Sequence, residues 1–186
     1  MAYTVSVKHK GQLDGVSVVD LFSGIGGLSH GFVLEGFNVA AGIDIDGDCK
    51  YGFEKNNAAK FLKRDISRVT TREMCALFGG ARIKVMVGCA PCQPFSTLNR
   101  KRSMYKESDD RWKPLTRFQN LILSVRPEIV SMENVKELAD EKKYPVFGEF
   151  VRNLRRNGYW VSYHVVDASR YGVPQRRKRL VLLASL

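Results

Sequence analysis

The feature that most limits the folds open to this chain is an alternation, from about residue 16 to the end, of short apolar runs with stretches of helical periodicity. The runs read VSVVDLF (16–22), NVAAGIDI (38–45), KFLKRDI (60–66), KVMVGCA (84–90), EIVSMEN (128–134), YWVSYHVV (159–166) and RLVLLAS (179–185). Several are rich in β-branched residues and nearly continuous in hydrophobicity, as strands of a parallel sheet must be when neither face meets water. Helical patterns fit between them, around 26–36, 47–56, 70–78, 115–125 and 146–157. Such a βαβ rhythm predicts an α/β protein with a Rossmann-like, doubly wound seven-stranded sheet, whose ligands sit at the carboxyl ends of the strands.

The 186 residues, 44% of them hydrophobic, suffice for one core, so a single domain over 1–186 is expected, with 1–15 as an N-terminal extension. Thirty Lys and Arg stand against 19 Asp and Glu, a formal net charge of +11 that fits a polyanionic partner, nucleic acid first. The N-terminus lacks the apolar core of a signal peptide, and no stretch approaches the roughly 20 apolar residues of a membrane span. A cytoplasmic protein without a membrane partner is therefore expected. The cysteines at 49, 75, 89 and 92 lack the spacing of a disulfide scaffold, so reduced thiols are expected. Cys89 and Cys92 form a C-x-x-C, but no second pair or nearby His supplies further ligands, and no metal site is expected.

One connection departs from the rhythm. Residues 96–114, STLNRKRSMYKESDDRWKP, are long, polar and charged, and follow directly on PCQPF; the pattern predicts a mobile lid over an active site, with a merely solvated loop as the alternative.

Residues suited to chemistry fall at the predicted strand ends. Asp20-Leu21-Phe22-Ser23-Gly24-Ile25-Gly26-Gly27 runs from a strand through a glycine-rich turn into a helix, where backbone can approach a ligand and free N–H groups face it. Nucleotide sites, S-adenosylmethionine sites and plain tight turns all use such a sequence. The second run ends in Gly42-Ile43-Asp44-Ile45-Asp46, an acid about twenty residues on, where a ribose would need an acceptor. The third ends in Arg64-Asp65-Ile66, whose acid suits an adenine amino group or a helix cap near Ser67.

The fourth run ends in Gly88-Cys89-Ala90-Pro91-Cys92-Gln93-Pro94-Phe95-Ser96. Cys92, between prolines at a strand end, is expected on a rigid turn facing the crevice, and Cys89 is expected to point into the sheet as a small hydrophobe. The fifth ends in Met132-Glu133-Asn134-Val135, which brings a carboxylate beside the cysteine if the two strands are neighbours. Tyr171-Gly172-Val173-Pro174-Gln175-Arg176-Arg177-Lys178-Arg179 then aims guanidinium groups near that edge, or forms a solvated basic face.

Taken in order, DLFSGIGG, GIDID, RDI, GCAPCQPFS, ENV and QRRKR resemble the motifs of the DNA (cytosine-5)-methyltransferase family of bacterial restriction-modification type, over roughly residues 16–186. The resemblance implies methyl transfer from S-adenosyl-L-methionine to C5 of a flipped cytosine in duplex DNA. It implies Cys92 as the nucleophile at C6, Glu133 as the carboxylate on N3, Arg179 on the carbonyl oxygen and Arg177 as an orienting group. Gln93, Ser96 and Asn134 become substrate contacts. The cofactor would be held by Asp20, Phe22, Ser23, Gly24, Gly26, Gly27, Asp44, Ile45, Asp65, Ile66 and Pro91. Family members continue into a target-recognition region, a motif supporting it and a last helix that packs on the first cofactor motif. These are expected here from a second polypeptide, with a truncated chain as the alternative. Two other readings stay open: an RNA cytosine-5 methyltransferase, and a catalytically silent fragment binding S-adenosylmethionine or DNA. The QRRKR form and Ser96 favour the DNA enzymes over the first, and the joint presence of Cys92, Glu133 and Arg179 argues against the second.

Overall fold

The computed structural model describes residues 13–91 and 112–186. Seven strands, β1 (Val16–Leu21), β2 (Asn38–Asp44), β3 (Lys60–Lys63), β4 (Ile83–Gly88), β5 (Ile129–Val135), β6 (Trp160–Asp167) and β7 (Lys178–Ser185), form one sheet in the order β3-β2-β1-β4-β5-β7-β6. Between them run α1 (Gly27–Leu34), α2 (Cys49–Asn57), α3 (Thr71–Phe78), α4 (Lys113–Val125) and α5 (Pro145–Arg156). Among the described residues, no helix is long and apolar enough to cross a membrane.

Side chains alternate across β1 and β4 and so build two cores. Val18, Val85 and Val87 pack with Phe53 and Phe61 on the side of α1 and α2. Val19, Leu21 and Met86 join Met132, Leu180 and Leu182 on the other, against Met74, Phe118, Phe147 and Phe150 of α3, α4 and α5. The larger cluster holds most of the buried apolar surface, the main favourable contribution to folding.

The seven-stranded, doubly wound sheet expected from the sequence is present, and it is mixed. Strands β1 to β5 run parallel, but β7 is antiparallel to both β5 and β6. The connection at 168–177 explains this: it holds one 3-10 turn (Ala168–Tyr171) and is too short for a crossover, which needs a dozen or more residues and usually a helix. The expected burial of both strand faces fails at the same place, since Trp160 (83% exposed), Leu183 and Ile129 share an open face there.

Of the stretch expected as a lid, residues 96–111 lie outside the described residues, as do Cys92, Gln93 and Ser96. Its last residues are helical: α4 starts at Lys113, with Pro114 in the first turn, where a missing N–H costs nothing.

Candidate active site at the carboxyl edge of the sheet

Among the described residues, the motif positions identified above fall at the carboxyl edge of β1 to β5 or at the start of β7. The glycine-rich turn follows β1. Gly24 and Gly26 have φ of 50° and 87°, conformations that side chains disfavour. A Cβ on Gly26 would meet Asn57 and lie 2.7 Å from Phe53 Cδ2, so only glycine lets α2 pack beneath the turn. On Gly24 it would meet nothing within 4 Å, leaving that backbone open to a ligand. The Ser23 hydroxyl is buried beside it, with no hydrogen-bond partner among the described residues.

Asp44, the last residue of β2, is tied to this turn. Its Oδ2 accepts from the Gly24 N–H at 2.8 Å and its Oδ1 from the Asp46 N–H at 2.9 Å. The acid that the spacing assigned to a ribose also braces the turn, with lone pairs left for a ligand. Ile45 beside it is 66% exposed, as the wall of an open crevice would be. Asp65 caps the 3-10 turn Ile66–Arg68 through the Ser67 N–H at 2.8 Å. Its bonds from Ser67 hold the carboxyl below the usual range. Arg117 of α4, which no sequence signal singled out, donates to the carbonyls of Ile66 and Val69 and fixes this turn from behind.

Asp20 sits beneath the turn rather than in the crevice. It is 1% exposed, and its Oδ2 accepts from Ser29 Oγ at 2.7 Å. Burial pushes its carboxyl up to about 7 against the opposing Ser29 bonds, and the negative charge of Asp44 adds to the rise. A group half-protonated near neutrality is a poor fixed anion for a cationic ligand. The folded state holds this proton over a range where the unfolded chain has lost it. The associated stability is complete below about pH 4 and is lost as pH rises through about 7. Asp20→Asn, which keeps an acceptor for Ser29, is therefore expected to flatten this slope and exceed the wild type in stability at pH 8 by up to about 4 kcal/mol. Urea melts from pH 4 to 8 check this; parallel profiles for the two proteins would refute it.

The second half of the site lies where β4, β5 and β7 meet. Gly88 of β4 pairs with Met132 of β5, so the next residues along, Cys89 and Glu133, emerge side by side. In the antiparallel register Val181 faces Glu133 and Arg179 faces Val135, which makes Arg179 the diagonal neighbour of Glu133 on the same face. Arg179 Nε lies 2.8 Å from Glu133 Oε1. Cys89 Sγ donates to Glu133 Oε2 at 2.8 Å. Cys89 is exposed, not packed in the sheet, because β4 ends at Gly88 and no strand pleat remains to bury it.

Asn134 is 2% exposed. Its Nδ2 donates to the Ala90 carbonyl at 3.1 Å and its Oδ1 accepts from the Val135 N–H at 2.8 Å. Read from sequence as a substrate contact, it also holds the backbone leading into Pro91. Arg177 is exposed, with its carbonyl bonded to the Ala168 N–H at 2.9 Å.

Residues 16–186 match the profile of the C-5 cytosine-specific DNA methylase family. The chain is 47% identical over 169 residues to the type II methylase M.HgiDII of Herpetosiphon aurantiacus, covering 91% of this chain and 47% of that one. It is 35% identical over 175 residues to the type II methyltransferase M.XorII of Xanthomonas oryzae pv. oryzae, covering 90% and 40%. The chain thus spans about half or less of the length of these two relatives. Among solved structures it resembles an Escherichia coli prophage protein described as a DNA modification methyltransferase, with a TM-score of 0.75, 25% identity and coverage of 91% of this chain and 46% of that one.

Proposed function

Because this chain belongs to the C-5 cytosine-specific DNA methylase family, whose members use S-adenosylmethionine, we propose that it carries the catalytic machinery for methylating C5 of cytosine in duplex DNA. The observation that carries this reading is the Glu133–Arg179 pair, 2.8 Å apart at the carboxyl edge of the sheet, next to the strand end that leads into Cys92.

Bound S-adenosylmethionine supplies the methyl group on its sulfonium. The residues present suit it: an open glycine turn at Phe22, Ser23, Gly24, Gly26 and Gly27, the Asp44 carboxylate with Ile45, and Asp65 with Ile66 at the next strand end. Pro91 would help hold the methyl donor, and Asp20 supports the turn from below.

Cytosine C5 is a weak nucleophile. The Cys92 thiolate adds to C6, and Glu133 holds or protonates N3 as negative charge develops across the ring, so its contribution is largest in the transition state. Arg179 pairs with Glu133 and reaches the carbonyl oxygen at C2, while Arg177 orients the edge. After C5 takes the methyl, loss of the C5 proton and cleavage of the C6–sulfur bond release the product and restore the thiolate. The base must leave its stack for this geometry, with Gln93 and Ser96 contacting it. Asn134 serves by holding Ala90.

Asp44→Ala is expected to weaken S-adenosylmethionine binding by about tenfold or more, because the ribose acceptor and the brace on Gly24 go together. Calorimetric titration giving equal affinity for variant and wild type would remove Asp44 from the cofactor site.

We further propose that target recognition comes from residues outside these 186. Exposed apolar surface supports this. Ile25 is 68% exposed, and Leu28, Phe32 and Val33 of α1 are only half-buried, as a helix awaiting a covering partner would be. The 186 residues alone are expected to bind S-adenosylmethionine weakly and DNA in a salt-sensitive, sequence-indifferent way, through phosphate contacts. A tritiated-methyl assay with and without the completing segment tests this. Strong site-specific methylation by the 186 residues alone would contradict it.

A further inference from the structure

The two oxygens of Glu133 have different neighbours. Oε1 takes Arg179 Nε and Oε2 takes Cys89 Sγ, each at 2.8 Å. We propose that Cys89 is a positioning residue for methyl transfer: its thiol fixes the rotation of the Glu133 carboxylate so that Oε2 is the atom presented to the base. This rests on the reading of Glu133 given above.

A carboxylate held by one contact is loosely set about its last torsion, which is broad and roughly two-fold. A second contact from another strand end removes that freedom. The contacts also differ in kind. Arg179 is permanently charged and gives up no proton, so the oxygen it holds remains an acceptor. The oxygen left to carry a proton to N3 is Oε2, beside the thiol. A thiol suits this place because it is an uncharged donor: it holds the oxygen in line without setting a positive charge against proton uptake, and a serine hydroxyl shares that property. The backbone carrying it is fixed on both sides. The Cys89 N–H donates to the Leu21 carbonyl at 3.3 Å, and Asn134 holds the Ala90 carbonyl.

Two measurements test the proposal. In the chain itself, the alkylation rate of Cys89 by iodoacetamide is followed by peptide mass spectrometry. Glu133→Gln is expected to speed it by roughly 3–10-fold, because the facing negative charge that favours thiol over thiolate is gone. An unchanged rate would overturn the contact.

In the holoenzyme, single-turnover methyl transfer is compared for Cys89→Ala, Cys89→Ser, Glu133→Gln and the Cys89→Ala, Glu133→Gln double variant. Cys89→Ala is expected to slow the chemical step by about tenfold, with cofactor affinity and DNA KM changed by less than about twofold. Cys89→Ser, which keeps a hydroxyl donor, is expected to restore most of the rate. In the Glu133→Gln background, Cys89→Ala is expected to change the rate by less than about twofold, since a residue acting only through Glu133 has nothing left to act on. An equal loss in both backgrounds, no loss in Cys89→Ala, or no rescue by serine would overturn the positioning role while leaving Glu133 in place. A wild-type rate in Glu133→Gln would instead remove Glu133 from the reaction, and the role of Cys89 with it.

Discussion

Cys92→Ser is expected to abolish methyl transfer, lowering the single-turnover rate by about a thousandfold or more while fold and cofactor affinity stay near wild type. The step at C6 needs a strong, polarisable nucleophile. A thiol in an electropositive setting is partly thiolate near neutral pH, whereas a serine hydroxyl is almost wholly protonated and a weaker nucleophile. The chain carries a formal charge of +11, and the basic run Arg176 to Arg179 leads into β7 at the carboxyl edge of the sheet. Rapid-quench assays with tritiated S-adenosylmethionine measure the loss. Retention of more than a few per cent of the wild-type rate would take Cys92 out of the nucleophile's role.

Glu133→Gln is expected to slow the chemical step by roughly 10²–10³-fold with DNA binding almost unchanged. The amide has nearly the same shape and its oxygen can still accept from Arg179, so the β5–β7 junction should survive. What it lacks is a proton to give to N3 and a charge to pair with the guanidinium. Because Glu133 is half-buried, its replacement leaves Arg179 with an unpaired charge, and some loss of stability, about 1 kcal/mol, should accompany the kinetic effect. Thermal melts separate the two contributions. A rate within about threefold of wild type would show that protonation at N3 is supplied from elsewhere.

Much of this architecture was legible because strand ends and glycines obey local rules. The seven apolar runs match the seven strands within a few residues, the largest excess being at KFLKRDI, where β3 stops at Lys63. There the chain turns to let Asp65 cap Ile66–Arg68, and a cap residue inside an apolar run is hard to tell from strand. Strand direction was not legible, since a continuous apolar run looks the same either way. Only the length of the 168–177 connection carried that information.

The site shows the same division. Which acids stand at strand ends could be read from spacing, and Asp44, Glu133 and Arg179 all sit where the motifs put them along the chain. Which way a side chain points just past a strand end could not, because the pleat that sets alternation has stopped. Cys89 is the case in point: one residue beyond β4 it turns to Glu133 instead of the core. Arg117 was invisible for a different reason, because its partners lie some fifty positions away on another element and nothing local marks them. Asp20 was placed correctly next to the turn, but its burial and its bond to Ser29 depend on how α1 packs, which sequence spacing does not specify.

The central claim, that this sheet edge performs covalent catalysis on cytosine through Cys92, is tested most directly by trapping. With 5-fluorocytosine at the target, fluorine replaces the proton that must leave C5, so the thiol adduct cannot be resolved after methyl transfer. The completed enzyme is incubated with S-adenosylmethionine and such a duplex, digested and mapped by mass spectrometry. The account predicts a cofactor-dependent adduct on the peptide containing Cys92, with the methylated fluorinated base attached to that sulfur. An adduct on another residue, or methyl transfer to DNA with no covalent adduct at all, would contradict it.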